Sequence, residues 1–464
     1  MGKKERMANV NDTIARRNTY ISSDADWIDF ECVLSTSADQ IAIAPGYLQK
    51  EWEKDGRKYF HYKMDCKILN FYSFLSASYE VKRDQWIPAA ASGNKQPVAI
   101  EIYYQKGHEY NIDRMIKGIK KSLDYYTVNF SPYQHRQVRI LEFPRYATFA
   151  QSFPNTIPFS EGIGFIAKVD DNDPESIDYP FYVTSHEVAH QWWAHQVIGG
   201  NVQGSTLMAE TMSQYSALMV MEKEFGKQAM KKFLKYEMNQ YLQGRAVEGK
   251  KERPLMLVEN QQYIHYNKGS VIMYALKDYI GEDSLNAALA KYVKAVAYQE
   301  PPYTNSIEFV SYLKAATPDS LKYIINDMFE TSTLYENKTS KCTYSKTKEG
   351  KYLVKLSIES KKMKADSVGK LKDVAIADWI DVGVFGTKEV NGKKIDTELY
   401  LQKRKIDKNK MVFEILVDEE PIKAGIDPYN KLIDRTPDNN SKSFKGGDKD
   451  APSNGGGVTV TIGS

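Results

Sequence analysis

His186-Glu187-Val188-Ala189-His190 is the stretch from which the organisation of the chain is read. Two histidines four apart on a helix stand one above the other on the same face, so their imidazoles can converge on one metal ion. His-Glu-x-x-His is the zinc-site signature built on that geometry. Glu187 comes directly after the first ligand and lies beside the metal rather than on it, where a carboxylate can accept a proton. A catalytic zinc requires three protein ligands and one open position. Glu210 supplies the third, from a second helical stretch over about 205–225 whose Leu207, Met208, Tyr215, Leu218 and Met221 form an apolar stripe.

Outward from this pair of helices, the 464-residue chain is long enough for several domains. Its composition, 42% hydrophobic and 27% charged, is that of a globular protein. The net charge of only +3 gives no single-sign field for nucleic acid or anionic lipid. Cys32, Cys66 and Cys342 are too few and too scattered for a disulfide framework or a cysteine metal site. No stretch reaches the roughly 18–20 apolar residues that cross a bilayer. The opening residues lack the apolar core of a signal peptide. The chain therefore reads as soluble as given, and its polar start reads as the opening of a segment from a longer protein.

The expected fold is α+β and multidomain. A polar linker over 1–26 precedes a β domain over 27–105, where strands rich in Tyr, Phe, Ile and Val alternate with turns at Gly46, Asp55-Gly56 and Gly93-Asn94. A catalytic domain spans 106–335. Its first lobe combines a helix over 112–130, strands at 137–143 and 161–167, and the metal helix over about 182–197; an all-helical lobe closes behind. A β-sandwich over 336–435 comes next, where strands alternate cleanly. The Gly-, Ser-, Asp- and Lys-rich tail over 436–464 is expected to be disordered.

His195 stands five residues past His190, off the ligand face, and reads as a packed or hydrogen-bonded histidine. Trp192 and Trp193 read as core. Gln214, one turn after Glu210, could orient a ligand from behind.

The string His186-Glu187-Val188-Ala189-His190-Gln191-Trp192-Trp193, then Glu210, then Tyr266-Asn267-Lys268-Gly269, resembles the aminopeptidase N family of gluzincin zinc metallopeptidases. Within that family it is most similar to bacterial peptidase domains joined to ABC-transporter-type permeases. The resemblance covers roughly residues 28–435. It implies a thermolysin-like zinc peptidase domain that binds one zinc ion through His186, His190 and Glu210. It also implies Glu187 as general base, Tyr266 as hydroxyl donor to the oxyanion, and a peptide as substrate. An extracytoplasmic place beside a permease portion of the same longer protein is implied as well.

Two departures stand out. The connection from Gln191 to Ala209 is one residue longer than the family's usual spacing, an insertion that an exposed loop tolerates cheaply, with Gly199-Gly200 and Gly204 giving it room to bend. The family's Gly-x-Met-Glu-Asn motif, whose glutamate binds the substrate's free amine, is altered: its place reads Pro158-Phe159-Ser160-Glu161-Gly162. Glu161 alone remains as the amine-binding residue. The expected function is a zinc-dependent aminopeptidase. A thermolysin-like endopeptidase and a non-catalytic, zinc-stabilised interaction or sensing module of a transporter assembly are the alternatives.

Overall fold

The computed structural model describes residues 6–173, 176–249, 251–366, 369–390 and 393–444. The chain forms two compact units: Met1–Phe233 with Arg253–Glu330, and Leu234–Glu252 with Thr331–Ser464. Among the described residues no helix is long and apolar enough to cross a membrane.

The first unit begins with a three-stranded antiparallel sheet in which Arg57–Lys63 lies between Glu31–Ser37 and Tyr47–Lys54. Its inward residues Phe30, Phe60, Tyr62 and Met64 form one apolar cluster. Sequence periodicity does not reveal Tyr47–Lys54, because this charged edge strand exposes most of its side chains. Beyond it, a mixed sheet runs in the order Thr156–Ser160, Gln137–Phe143, Val98–Tyr104, Glu80–Trp86. The expected boundary at 105 therefore cuts through a sheet. Val98–Tyr104 pairs in parallel with Gln137–Phe143, and Glu80–Trp86 pairs antiparallel to Val98–Tyr104. Short-range alternation marks strands but not the partners they choose.

The strand expected at 161–167 is a run of turns instead. Gly164 and Ile166 bond back to the Ser160 and Glu161 carbonyls, and the Asn111 amide donates to the carbonyls of Gly164 and Ala167. The strand lies just before it. Residues 149–153 fold back antiparallel on Thr156–Ser160, through Gln151 N–H to the Pro158 carbonyl (3.0 Å) and Phe153 N–H to the Thr156 carbonyl (2.9 Å).

Helix α1 (Ile112–Asn129) buries Ile112, Met115, Ile119, Leu123 and Tyr126 at the spacing of one helical face. That face receives helix α2 (Tyr179–Ala189): the Tyr126 hydroxyl donates to the Ser185 carbonyl at 2.9 Å. Asp178 caps α2 by accepting the Phe181 N–H at 3.1 Å, with Pro180 in the first turn. Regular α-helix stops at Ala189, short of the expected Val197. Residues 190–197 continue with bonds to the third, fourth and fifth residue back. Helix α3 (Met212–Phe225) packs on α2, and Gly269–Ile280, Glu282–Val296 and Ser306–Ala316 complete the helical lobe.

Residues 8–26 are not a free linker. Backbone bonds join Gln203 N–H to the Ala8 carbonyl (2.9 Å), Asn201 N–H to the Asn18 carbonyl (2.9 Å) and Tyr303 N–H to the Arg16 carbonyl (2.7 Å). A polar composition does not disclose such pairing, because backbone groups make it.

In the second unit, one sheet joins Thr333–Lys346, Tyr352–Ala365, Leu371–Val374 and Lys410–Val417. The other joins Lys393–Ile406, Asp378–Val390, Lys423–Ile426 and Ser441–Ser443. The last strand lies inside the tail expected to be disordered from 436, so that boundary comes too early. Asn440 is buried, and its carbonyl accepts from Ile426 N–H and the Thr339 hydroxyl. Residues 445–464 lie outside the described residues.

Candidate metal centre

Three segments of irregular helix carry the site. His186 lies in the last regular turn of α2, and His190 opens its irregular continuation. Glu210 sits in the π-helical turn Leu207–Thr211, and Tyr266 sits in another, Tyr263–Lys268. A π turn widens the helix by one residue and rotates the next turn relative to the last, and such turns concentrate at functional sites. Here they bring a carboxylate and a phenol to the histidines of α2. The two π turns touch where Thr211 donates to the His265 carbonyl. The glycine after Tyr266 and Lys268 has a packing reason: a Cβ at Gly269 would stand 2.6 Å from Thr211 Cγ2. Any larger residue would drive the tyrosine and glutamate segments apart.

His186 Nε2 and His190 Nε2 face each other at 3.0 Å. Glu210 Oε2 lies 3.5 Å from the first and 3.2 Å from the second. The two histidines are buried and Glu210 is half-buried. The Glu210 oxygen is buried without a hydrogen-bond partner, so three ligand atoms converge on one point. Burial alone would strip the proton from His190, but the Glu210 carboxylate outweighs it and pushes the pKa up to about 9. For Glu210, burial is likewise opposed and overcome by the two histidines, which hold its carboxyl well below the usual range. The pocket calls for positive charge at its centre. That donor set, two imidazoles and a carboxylate, fits zinc.

His190 is oriented from behind. Its Nδ1 lies 3.0 Å from both the Trp193 carbonyl and the Ser213 hydroxyl, which places the proton on Nδ1 and leaves the Nε2 lone pair inward. Ser213→Ala should weaken zinc affinity by about tenfold, the low end for such supports, because the carbonyl remains. Chelator competition measures this, and unchanged affinity would leave Ser213 without an orienting role. Gln214 donates to the Tyr182 hydroxyl at 2.7 Å; its neighbour Ser213 is the residue that reaches His190.

Glu187 is 6% exposed. Burial is the largest influence on it and raises its pKa, while the histidines and a hydrogen bond from the Ser152 N–H pull the other way. Ser152 belongs to the 149–153 edge strand, whose grip on α2 was not apparent from sequence. The Gln191 amide donates to the Ser152 hydroxyl (2.7 Å) and the Phe153 carbonyl (2.9 Å), and its oxygen accepts the Asn155 N–H. His195 Nε2 meets the Ser152 carbonyl at 3.0 Å. The available signal was Gln191 itself, a fully buried amide directly after a ligand. Trp192 and Trp193 are fully buried, bonded to Ser131 and Ser216. The Tyr266 ring is tilted against that of His186, with centroids 5.7 Å apart, and its hydroxyl faces Glu210; burial first, then that carboxylate, raise its pKa, so the phenol keeps its proton.

A family comparison completes this geometry: residues 110–330 match the model of the peptidase family M1 domain. Residues 110–330 belong to peptidase family M1. No curated protein matches the chain. Among solved structures, Legionella pneumophila aminopeptidase A in complex with aspartic acid is similar over 89% of this chain and 45% of its own. The identity is 14% and the TM-score 0.57. An M1 zinc metallopeptidase variant from Deinococcus radiodurans is similar over 66% of this chain and 65% of its own, at 15% identity and a TM-score of 0.50. The chain thus spans less than half of the Legionella protein. These likenesses carry the fold. The M1 family implies one zinc ion, and the M1 domain here holds the three residues that fit it.

Glu161 is not brought to those ligands. Thr156 pairs beside Phe153 next to α2, and a strand rises about 3.3 Å per residue, so Glu161 stands roughly 15 Å along the sheet from that point. Its oxygens meet Arg145 Nε at 3.5 Å and His108 Nδ1 at 4.0 Å, in a cluster with Glu142. Residues 149–153, which carry the Ser152 N–H that bears on Glu187, include no carboxylate.

Proposed function

We propose that the chain is a zinc-dependent metallopeptidase that acts as an aminopeptidase, hydrolysing N-terminal residues of peptides. The observation that carries this reading is the convergence of His186, His190 and Glu210 beside a buried Glu187 and a protonated Tyr266, inside an M1 domain. Zinc, when bound there, supplies Lewis acidity that polarises a carbonyl and acidifies water. Glu187, held by the Ser152 N–H, takes the proton of the attacking water and returns it to the leaving amine. The Tyr266 hydroxyl turns from Glu210 to donate to the oxyanion as it forms, where an aligned donor is worth about 3–4 kcal/mol. The exposed edge of residues 149–153 offers backbone groups at Ala150 to an extended peptide.

A second reading, thermolysin-like endopeptidase, is favoured by the pairing of Glu161 with Arg145 and His108 rather than with the site. Assays on aminoacyl-anilides, free-amine peptides and blocked peptides, each with and without chelator, separate the readings. Turnover of free-amine substrates alone supports the first, and cleavage of blocked peptides the second. No zinc-dependent turnover on any of them would leave only a zinc-stabilised interaction module. The finer reading, an extracytoplasmic peptidase joined to an ABC-type permease, is supported by sequence resemblance. Recovery of the native protein from the membrane fraction together with a permease would test it.

A further inference from the structure

The N-terminal strap is built into the support of the third ligand. Residues 18–20 lie antiparallel to residues 199–201, at the start of the connection between His190 and Glu210. Thr19 bridges Gly200, and Tyr20 N–H donates to the Gly199 carbonyl at 3.1 Å. Ala8 bridges Val202, so the strap grips the connection at two places. On the other side of that connection Gly200 N–H donates to the Thr304 carbonyl at 3.0 Å. Arg16 fastens the strap to this small ladder. Its Nε donates to the Tyr303 carbonyl at 2.7 Å, and its own carbonyl accepts the Tyr303 N–H. It also covers Gly200, where a Cβ would stand 2.9 Å from Arg16 Cα.

The backbone held in this way presses directly on the turn that carries Glu210. A Cβ on Gly199 would stand 2.6 Å from Cε of Met208, which lies in the same π turn as Glu210. The Tyr292 hydroxyl joins the ladder to that turn as well, at 3.0 Å from Thr304 Oγ1 and 3.0 Å from Met208 Sδ. The buried Ser205 hydroxyl reaches back to the Gly200 and Val202 carbonyls, which closes the connection on itself just before the π turn. Contacts therefore run without a break from Arg16 to a residue two positions before the ligand. Where the strap sits decides where Met208, and with it Glu210, can sit.

We propose that residues 8–20 form a clasp that sets the zinc affinity of the site, with Arg16 as a positioning residue for Glu210. When the strap lifts, the third ligand can withdraw from the histidine pair. Docking of the strap and binding of zinc are then linked, and each strengthens the other by the same factor. This rests on zinc at the three converging residues, whichever peptides the chain cleaves. Arg16→Ala removes the guanidinium and its cover over Gly200 while every residue of the metal centre stays in place. Its zinc Kd, measured by chelator competition, should rise about tenfold, the low end for a residue that supports a metal ligand from behind. Arg16→Lys, whose ammonium can still reach the Tyr303 carbonyl, should recover most of that loss. The reciprocal half needs no substitution. Arg17 is exposed on the strap, and trypsin can cleave after it only when the paired backbone lifts; Arg57, also exposed, lies outside the strap. Zinc should slow cleavage after Arg17 several-fold more than cleavage after Arg57, whereas general stabilisation would slow both alike. An unchanged zinc Kd in Arg16→Ala overturns the proposal, and so does equal slowing at the two sites. Failure of the zinc centre itself shows separately, as no zinc bound by the unsubstituted chain, and takes this inference with it.

Discussion

Glu187→Gln should retain one zinc per chain and lose turnover by roughly 100- to 10,000-fold, the range of a positioned general base. Glu187 is not among the three residues whose donor atoms converge, so metal stoichiometry should not decline with the activity. The substituted amide has the same shape, and its oxygen can still accept the Ser152 N–H that now meets the carboxylate. What it lacks is basicity. Burial raises the pKa of Glu187 above the ordinary carboxylate value, so ionisation is already disfavoured there and a neutral group costs no stability. Elemental analysis, kcat on a free-amine peptide and the melting temperature together check this. Full activity would show that another group takes the proton, whereas loss of zinc would mean that Glu187 helps to hold the metal.

The ligand set was legible in the sequence because its information is local. The spacing of His186 and His190 fixes a common helix face, and the apolar stripe through Leu207, Met208 and Tyr215 places Glu210 on a helix packed against it. The contributions of Ser152 and Ser213 were not legible, for different reasons. Ser152 acts through its backbone N–H and carbonyl, which every residue type except proline presents. Ser213 differs from Gln214 by a rotation of about 100° on the helix, and the π turn before α3 changes which of them faces His190. Glu161 shows the reverse: a residue of the right type at a plausible offset meets Arg145 and His108, partners that a motif match does not display.

The connection between the second histidine and the glutamate provides the largest expected stability effect, at Gly204. Its φ is +85°, and its N–H donates to the Val258 carbonyl at 2.9 Å. Its own carbonyl accepts the Leu207 N–H at 3.1 Å and so begins the turn that presents Glu210. A Cβ there would overlap the Met256 carbonyl oxygen and the Ser306 hydroxyl and lie 2.6 Å from Ser306 Cβ. Left-handed backbone alone costs an alanine about 1–2 kcal/mol. Parting Met256 and Ser306, which are themselves hydrogen-bonded at 2.6 Å, should bring the total for Gly204→Ala to about 3–4 kcal/mol, in the range of overpacked buried sites. Gly226 isolates the two contributions. Its φ is +84° with ψ at 162°, and nothing lies within 4 Å of its Cβ position, so Gly226→Ala should carry a backbone cost alone, about 1–3 kcal/mol. Urea unfolding of both variants in the zinc-free protein gives the difference directly. Equal losses would mean that the packing around Gly204 yields without cost. If the clash is real, Gly204→Ala should also weaken zinc affinity while Gly226→Ala leaves it unchanged, because only Gly204 sets where Glu210 begins its approach to the histidines.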